Sequence, residues 1–253
     1  MRYLVKPIKW IYSIYACLAF VLIMILIFPL VIIASFFGRI RGGNIIMGLC
    51  RFWADTWFPL IFIRHRFIYE TPHDRNRAYL FVSNHISYLD AAIIPKAYRQ
   101  PIRPLGKVEL SKVPVFGFIY KNAIVTVDRS NPANRAASVR ILRSLISKGI
   151  SVLVFPEGTF NMGTTPLKSF YDGAFRIAIE TQTPIKPVLF LDAYRRMPYE
   201  SIFAMTPGIS RIVYLEEIPV TGYTLADTTR LKEKVYAIME SKLRNYNAAW
   251  RKS

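Results

Sequence analysis

A histidine and an aspartate stand five positions apart in Ser83-Asn84-His85-Ile86-Ser87-Tyr88-Leu89-Asp90. A neutral imidazole backed by a carboxylate is a general base: the carboxylate selects the tautomer and stabilises the imidazolium formed when a proton is taken. The same stretch also fits a helix start, with Ser87 as N-cap and Asp90 at N3. His85 is then an ordinary residue of the preceding loop. The two readings are compatible, because first-turn side chains tilt toward the helix N-terminus and would aim Asp90 back at His85.

Further along, Lys107 precedes the stretch Val108-Glu109-Leu110-Ser111-Lys112-Val113-Pro114, and Arg129 directly follows the β-like run Ala123–Val127. For a single Lys or Arg a solvated surface position is the ordinary expectation. A strand end, however, is where α/β sheets build ligand crevices, and a guanidinium there suits bidentate recognition of phosphate or carboxylate. Phe155-Pro156-Glu157-Gly158-Thr159 ends another β-run in a tight turn. It reads either as a simple loop with Glu157 solvated, or as a place where Gly158 admits a ligand to free backbone amides beside a carboxylate.

The elements that must position these residues alternate between β-like runs and helical patterns, which argues for α/β layering. Strands are expected at Ala78–Ser83, Ala123–Val127, Ser151–Phe155, Lys186–Leu191 and Arg211–Leu215. Asn131-Pro132 reads as an N-cap and N1 pair opening a helix whose Val139, Leu142, Leu145 and Ile146 share one face, with Gly149 as its stop. Leu231, Val235, Ile238 and Met239 form a second apolar stripe near the end.

Ahead of this lies a different composition. Trp10 to Phe37 is a run of 28 residues without a charge, more than the roughly 20 that span a bilayer core. Pro29 inside it can kink the helix or mark a turn. Basic residues flank both ends, so the charges allow a single crossing or a hairpin that returns to the cytoplasmic side. Ile45 to Ile63 is apolar again but carries Arg51 and Asp55, and its Trp53, Trp57 and Phe58 suit an interfacial helix at head-group depth. A boundary near residue 66 then divides the chain into a membrane-embedded or interfacial helical module, 1–66, and a catalytic domain, 67–253.

Thirty-four Lys and Arg against 16 Asp and Glu give a net charge of +18, while hydrophobic residues reach 53%. That combination points to an anionic membrane surface as partner rather than nucleic acid. Cys17 and Cys50 offer no disulfide framework, and three histidines without clustered cysteines or carboxylates offer no metal site. His65 and His73 lie in basic and polar stretches and receive no catalytic role.

Taken in order, Asn84-His85-x4-Asp90, Lys107…Gly117…Val127-Asp128-Arg129, Phe155-Pro156-Glu157-Gly158-Thr159 and Thr183-Pro184-Ile185-Lys186-Pro187-Val188 closely resemble the blocks of the glycerolipid acyltransferase family. Its best-known members are the 1-acyl-sn-glycerol-3-phosphate acyltransferases. The resemblance covers about residues 60 to 220. It implies a glycerolipid-acyltransferase-like α/β sheet with flanking helices, preceded by an N-terminal membrane-embedded module. The implied reaction moves an acyl group from acyl-CoA or acyl carrier protein to a lysolipid hydroxyl at the cytoplasmic membrane surface, giving phosphatidic acid when the acceptor is lysophosphatidic acid. His85 matches the family's base and Asp90 its orienting carboxylate. Asn84, Lys107, Arg129, Glu157, Gly158 and Thr159 match its substrate-binding positions. No metal or redox cofactor is implied, since the thioester is already activated.

One departure stands out. The third block commonly ends in Arg, whereas here Phe160 follows Thr159. Lys168 is a downstream cation that could compensate, and acceptors without a glycerol phosphate, such as a lyso-aminolipid, stay open. A non-catalytic protein that binds anionic lipid is the reading from another class. It gives no reason for His85 and Asp90 to coincide with the later blocks.

Overall fold

The computed structural model describes residues 2–127 and 140–251. A seven-stranded sheet in the order β1-β7-β6-β2-β5-β3-β4 forms its middle layer. The strands are β1 (Ile63–Tyr69), β2 (Leu80–Ser83), β3 (Ile102–Lys107), β4 (Val125–Val127), β5 (Ser151–Val154), β6 (Ile185–Phe190) and β7 (Gly208–Tyr214). Strand β2 pairs in parallel with both β5 and β6, β5 with β3, and β3 with β4. Only the β6–β7 pairing is antiparallel among the described pairs.

Alternation along each strand divides the core in two. Leu80 and Val82 face one way with Val152, Val154 and Leu189. Phe81, Leu153, Val188 and Phe190 face the other. The first face is covered by a helix described over 140–146 (α5), by α6 (Gly173–Thr181) and by α7 (Thr228–Asn245). Leu142 and Leu145 are buried there, and so are Leu231, Val235 and Met239 on the terminal stripe. Gly149 takes φ +75° as the expected stop. Asn131-Pro132, Val139 and Arg129 lie outside the described residues.

The second face is covered by α3 (Leu89–Ala97), α4 (Phe116–Ala123) and two long N-terminal helices. Helix α1 (Arg2–Ser35) continues past Pro29 as one element of 34 residues. After a turn, α2 (Gly43–Leu60) packs back against it. Within α1, Lys6–Ser35 is long and apolar enough to cross a membrane. Ala16, Ile23, Ile27, Val31 and Ala34 bury one stripe of α1, while Leu18, Leu22, Leu26 and Leu30 are exposed. Trp53 and Trp57 are buried between the helices. Their indole N–H groups donate to the carbonyls of Phe20 (3.2 Å) and Ala16 (2.9 Å) on α1.

Two strands escaped the sequence reading. Strand β1 carries Arg64 and Arg66 among its apolar residues, and β3 reads Ile-Arg-Pro-Leu-Gly-Lys, which has poor strand propensity. Arg103 explains the second case. It is 3% exposed and its guanidinium donates to the carbonyls of Arg39 (3.2 Å), Ile40 (3.1 Å) and Ile102 (2.9 Å). The side chain therefore clamps the α1–α2 turn onto the sheet, and burial pulls its pKa down to about 10. Gly43 lies beneath it, and a Cβ there would come within 2.4 Å of the guanidinium, so any larger residue would push the Arg103 side chain aside. Arg103→Met should lower the thermal midpoint in detergent by the equivalent of about 2–4 kcal/mol, since buried carbonyls lose their donors. It should also open the turn to trypsin at Arg39 and Arg41. An unchanged melting profile would mean that apolar packing alone holds the hairpin.

Candidate active site

Because β2, β5, β3 and β4 all run the same way, their C-terminal ends (Ser83, Val154, Lys107 and Val127) share one edge of the sheet. Crevices at such edges are where open α/β sheets bind ligands. The loops leaving β2 and β5 carry His85 and Glu157. Lys107 ends β3 with an exposed side chain.

His85 Nδ1 lies 2.9 Å from Asp90 Oδ2. The same oxygen accepts the backbone N–H groups of Ile86 (2.7 Å) and Ser87 (2.9 Å). Asp90 is fully buried, so the carboxylate draws the loop around itself while facing the imidazole. Its Oδ1 is buried with no partner among the described residues, which concentrates the compensation on the side that faces His85. The helix start differs slightly from the expected capping box. Tyr88 is the N-cap residue, and the Ser87 hydroxyl accepts from Leu89 N (3.0 Å) while donating to the carbonyl of Met197 (2.5 Å). The Asp90-to-Ser87 half of the box is present all the same.

With Nδ1 committed to Asp90, Nε2 is the ring nitrogen left for a substrate; it has no hydrogen bond among the described residues. The ring is stacked on Phe155 with centroids 4.2 Å apart. Phe160 meets it edge-on at 4.4 Å, and Tyr88 meets Phe160 in turn at 4.7 Å. This aromatic packing was missed from the sequence, although Phe155 and Phe160 bracket the Glu157 turn within six residues.

Glu157 is not the solvated loop residue of the simpler expectation: it is fully buried. Its two oxygens accept the backbone N–H groups of His85 and Lys168, each at 2.8 Å. The His85 carbonyl accepts from Asn161 N (2.8 Å), so the Glu157 loop holds His85 by both sides of its backbone. Gly158 takes φ 73°, and its N–H is used within the turn by the Phe155 carbonyl (3.0 Å). Asn84 is buried as well. Its amide donates to Phe190 O (3.1 Å) and accepts from Phe190 N (2.8 Å), stitching the end of β2 to β6. Thr159 is exposed, and its hydroxyl accepts from the Lys168 ammonium (2.9 Å).

Beside the helix start lies an apolar cavity of about 470 Å³ among α1, α2, α3 and α4. Tyr88, Leu89 and Ala92 of the Asp90 segment line it, with Phe20, Met24 and Trp53 opposite. Tyr88 thus belongs both to the cavity wall and, through Phe160, to the packing around His85.

Residues 65–191 match the family model described as Acyltransferase. The chain belongs to the acyltransferase family. This acyltransferase is 29% identical over 249 residues to the 1-acyl-sn-glycerol-3-phosphate acyltransferase of Limnanthes alba, covering 94% of this chain and 83% of that one. Against the enzyme of the same name from Haemophilus influenzae it is 27% identical over 223 residues, covering 87% and 90%. Its fold is similar to the crystal structure of the 1-acyl-sn-glycerophosphate (LPA) acyltransferase, PlsC, from Thermotoga maritima, with a TM-score of 0.73, 22% identity and 100% of both chains covered. The acyltransferase therefore combines a mixed α/β sheet with the His85–Asp90 pair inside the matched region.

Burial pushes the Glu157 carboxyl up from 4.5 to about 8, aided by the charge of Asp90 and opposed by the two backbone N–H bonds and Lys168. A raised carboxyl pKa means that the folded state favours the neutral form. The stability it contributes is present below pH 4.5 and is lost as pH rises toward about 8. Glu157→Gln, which cannot ionise, should lose less stability than the wild type across that window. Thermal midpoints measured in detergent across the same pH series would reveal parallel curves if the group did not titrate there.

Proposed function

We propose that this acyltransferase moves a fatty acyl group from an acyl thioester, acyl-CoA or acyl carrier protein, to the free hydroxyl of lysophosphatidic acid at a membrane surface, giving phosphatidic acid. The observation that carries the reading is the 2.9 Å contact of His85 Nδ1 with buried Asp90, at the sheet edge and next to an apolar cavity. The names of the curated relatives supply the acceptor.

His85 Nε2 takes the proton of the acceptor hydroxyl as its oxygen attacks the thioester carbonyl. Collapse of the tetrahedral intermediate breaks the carbon–sulfur bond, and the departing thiolate receives the proton back from the imidazolium. Asp90 holds the ring and stabilises its cationic form during the exchange. Glu157 and Asn84 act as positioning residues, holding the His85 loop and the end of β2. Lys107 and Arg129, which match the family's substrate-binding positions, supply positive charge for the acceptor's anionic group. The cavity between the hairpin and α3 takes the acyl chain. The exposed apolar face of α1 embeds the 1–66 segment in the bilayer, and the excess of Lys and Arg favours an anionic, cytoplasmic-facing surface.

His85→Ala should reduce thiol release from acyl-CoA with lysophosphatidic acid by at least about a hundredfold while leaving flotation with liposomes intact. Residual turnover within tenfold of wild type would sink the base assignment.

A second reading keeps the chemistry and changes the acceptor. Phe160 favours it, because an aromatic ring replaces a cation beside His85. Purified protein given acyl-CoA and a panel of lysolipids decides between the two. Preference for lysophosphatidic acid supports the first, and turnover only of a lyso-aminolipid supports the second.

A further inference from the structure

The loop from Glu157 to Lys168 leaves the sheet edge and returns to it. Asn161 shapes the excursion: its side chain accepts from Gly163 N (3.0 Å) and donates to Thr165 O (2.8 Å). Thr165 in turn donates to the Leu167 carbonyl (2.9 Å). The return point is Lys168, whose backbone N–H binds one oxygen of Glu157 while His85 N–H binds the other. One buried carboxyl group therefore ties the backbones of His85 and Lys168 to a single point.

The two side chains nearest this tether divide the work. Phe160 turns its ring against His85 and Tyr88, so position 160 contributes packing and no charge. Lys168 lies on the outside with its ammonium on the Thr159 hydroxyl. That hydroxyl is neutral, and among the described residues the ammonium has no carboxylate within ion-pair distance. Asp90 meanwhile places a buried carboxylate behind the site. An anionic acceptor approaching His85 meets that negative potential and needs a cation at the mouth.

We propose that Lys168 supplies that cation, contacting the anionic head group of the lysolipid from the returning arm of the Glu157–Lys168 loop. This rests on the reading of the site as a lysolipid acyltransferase. An ammonium on a flexible stem is a point charge with rotatable donors, suited to the freely turning oxygens of a phosphate monoester. Thr159 holds the stem in place when no head group is present and offers its hydroxyl as a second donor when one is.

The test compares full-length wild type, Lys168→Met and Lys168→Arg at saturating acyl-CoA. Lysophosphatidic acid is the charged acceptor and a monoacylglycerol, with the same hydroxyl and no charge, is the control. The Lys168 side chain is exposed and its structural bond is made by its backbone, so melting temperatures should coincide. We expect Lys168→Met to raise KM for lysophosphatidic acid by about tenfold to a hundredfold, the size of one charge-assisted hydrogen bond. The kcat should hold within about threefold, the monoacylglycerol rate should be unchanged, and Lys168→Arg should recover most of the loss. An unchanged KM in Lys168→Met, or equal losses on both acceptors, overturns the role of Lys168 while wild-type turnover leaves the acyltransferase reading standing. A wild type that turns over no lysolipid overturns both.

Discussion

Three donors converge on one oxygen of a fully buried carboxylate. Asp90 Oδ2 accepts from the His85 ring and from the backbone of Ile86 and Ser87. Burying an ionised carboxylate is costly unless hydrogen bonds replace its water, so the loop must fold around Asp90 for the helix start to be buried at all. The orientation of His85 follows from that requirement. The geometry of the His85–Asp90 pair and local stability are here one constraint, and the helix start is the common structure.

A second buried carboxyl extends the arrangement across the sheet edge. Glu157 joins the backbones of His85 and Lys168, and Asn84 secures the end of β2 to β6. These polar side chains face inward and are consumed by backbone partners. The loop leaving β2 is thus held by residues from β5 and β6, its immediate neighbours in the sheet. Parallel pairing makes this feasible, because it brings the C-terminal ends of consecutive strands side by side.

The N-terminal hairpin completes the architecture from the other side. Its inward stripe packs on the sheet and α3, its tryptophans bond to carbonyls of α1, and Arg103 clamps the turn. The apolar cavity exists because these helices and α3 enclose it between them. Tyr88 connects that space to the ring packing around His85. A hairpin detached from the sheet would lose both the cavity wall and the proximity of its exposed apolar face to His85.

The amino-acid sequence alone determined the spacing that pairs His85 with Asp90, the alternation of strands and helices, the long apolar N-terminal segment and the order of the family blocks. Each of these is local: it depends on residue type, on periodicity, or on spacing within a few turns. What the sequence left undecided depended on distant partners. Strand β3 is legible only once Arg103 is seen to bond with residues 39 and 40. Glu157 and Asn84 match substrate-binding positions of the family, and only the tertiary contacts reveal that backbone groups of His85, Lys168 and Phe190 use them. The tryptophans of α2 face α1 for a similar reason, since burial on a partner helix cannot be told from burial in lipid by composition. Residue type sets which bonds a side chain is able to make. Which partner arrives to make them was decided by the folding of the whole chain.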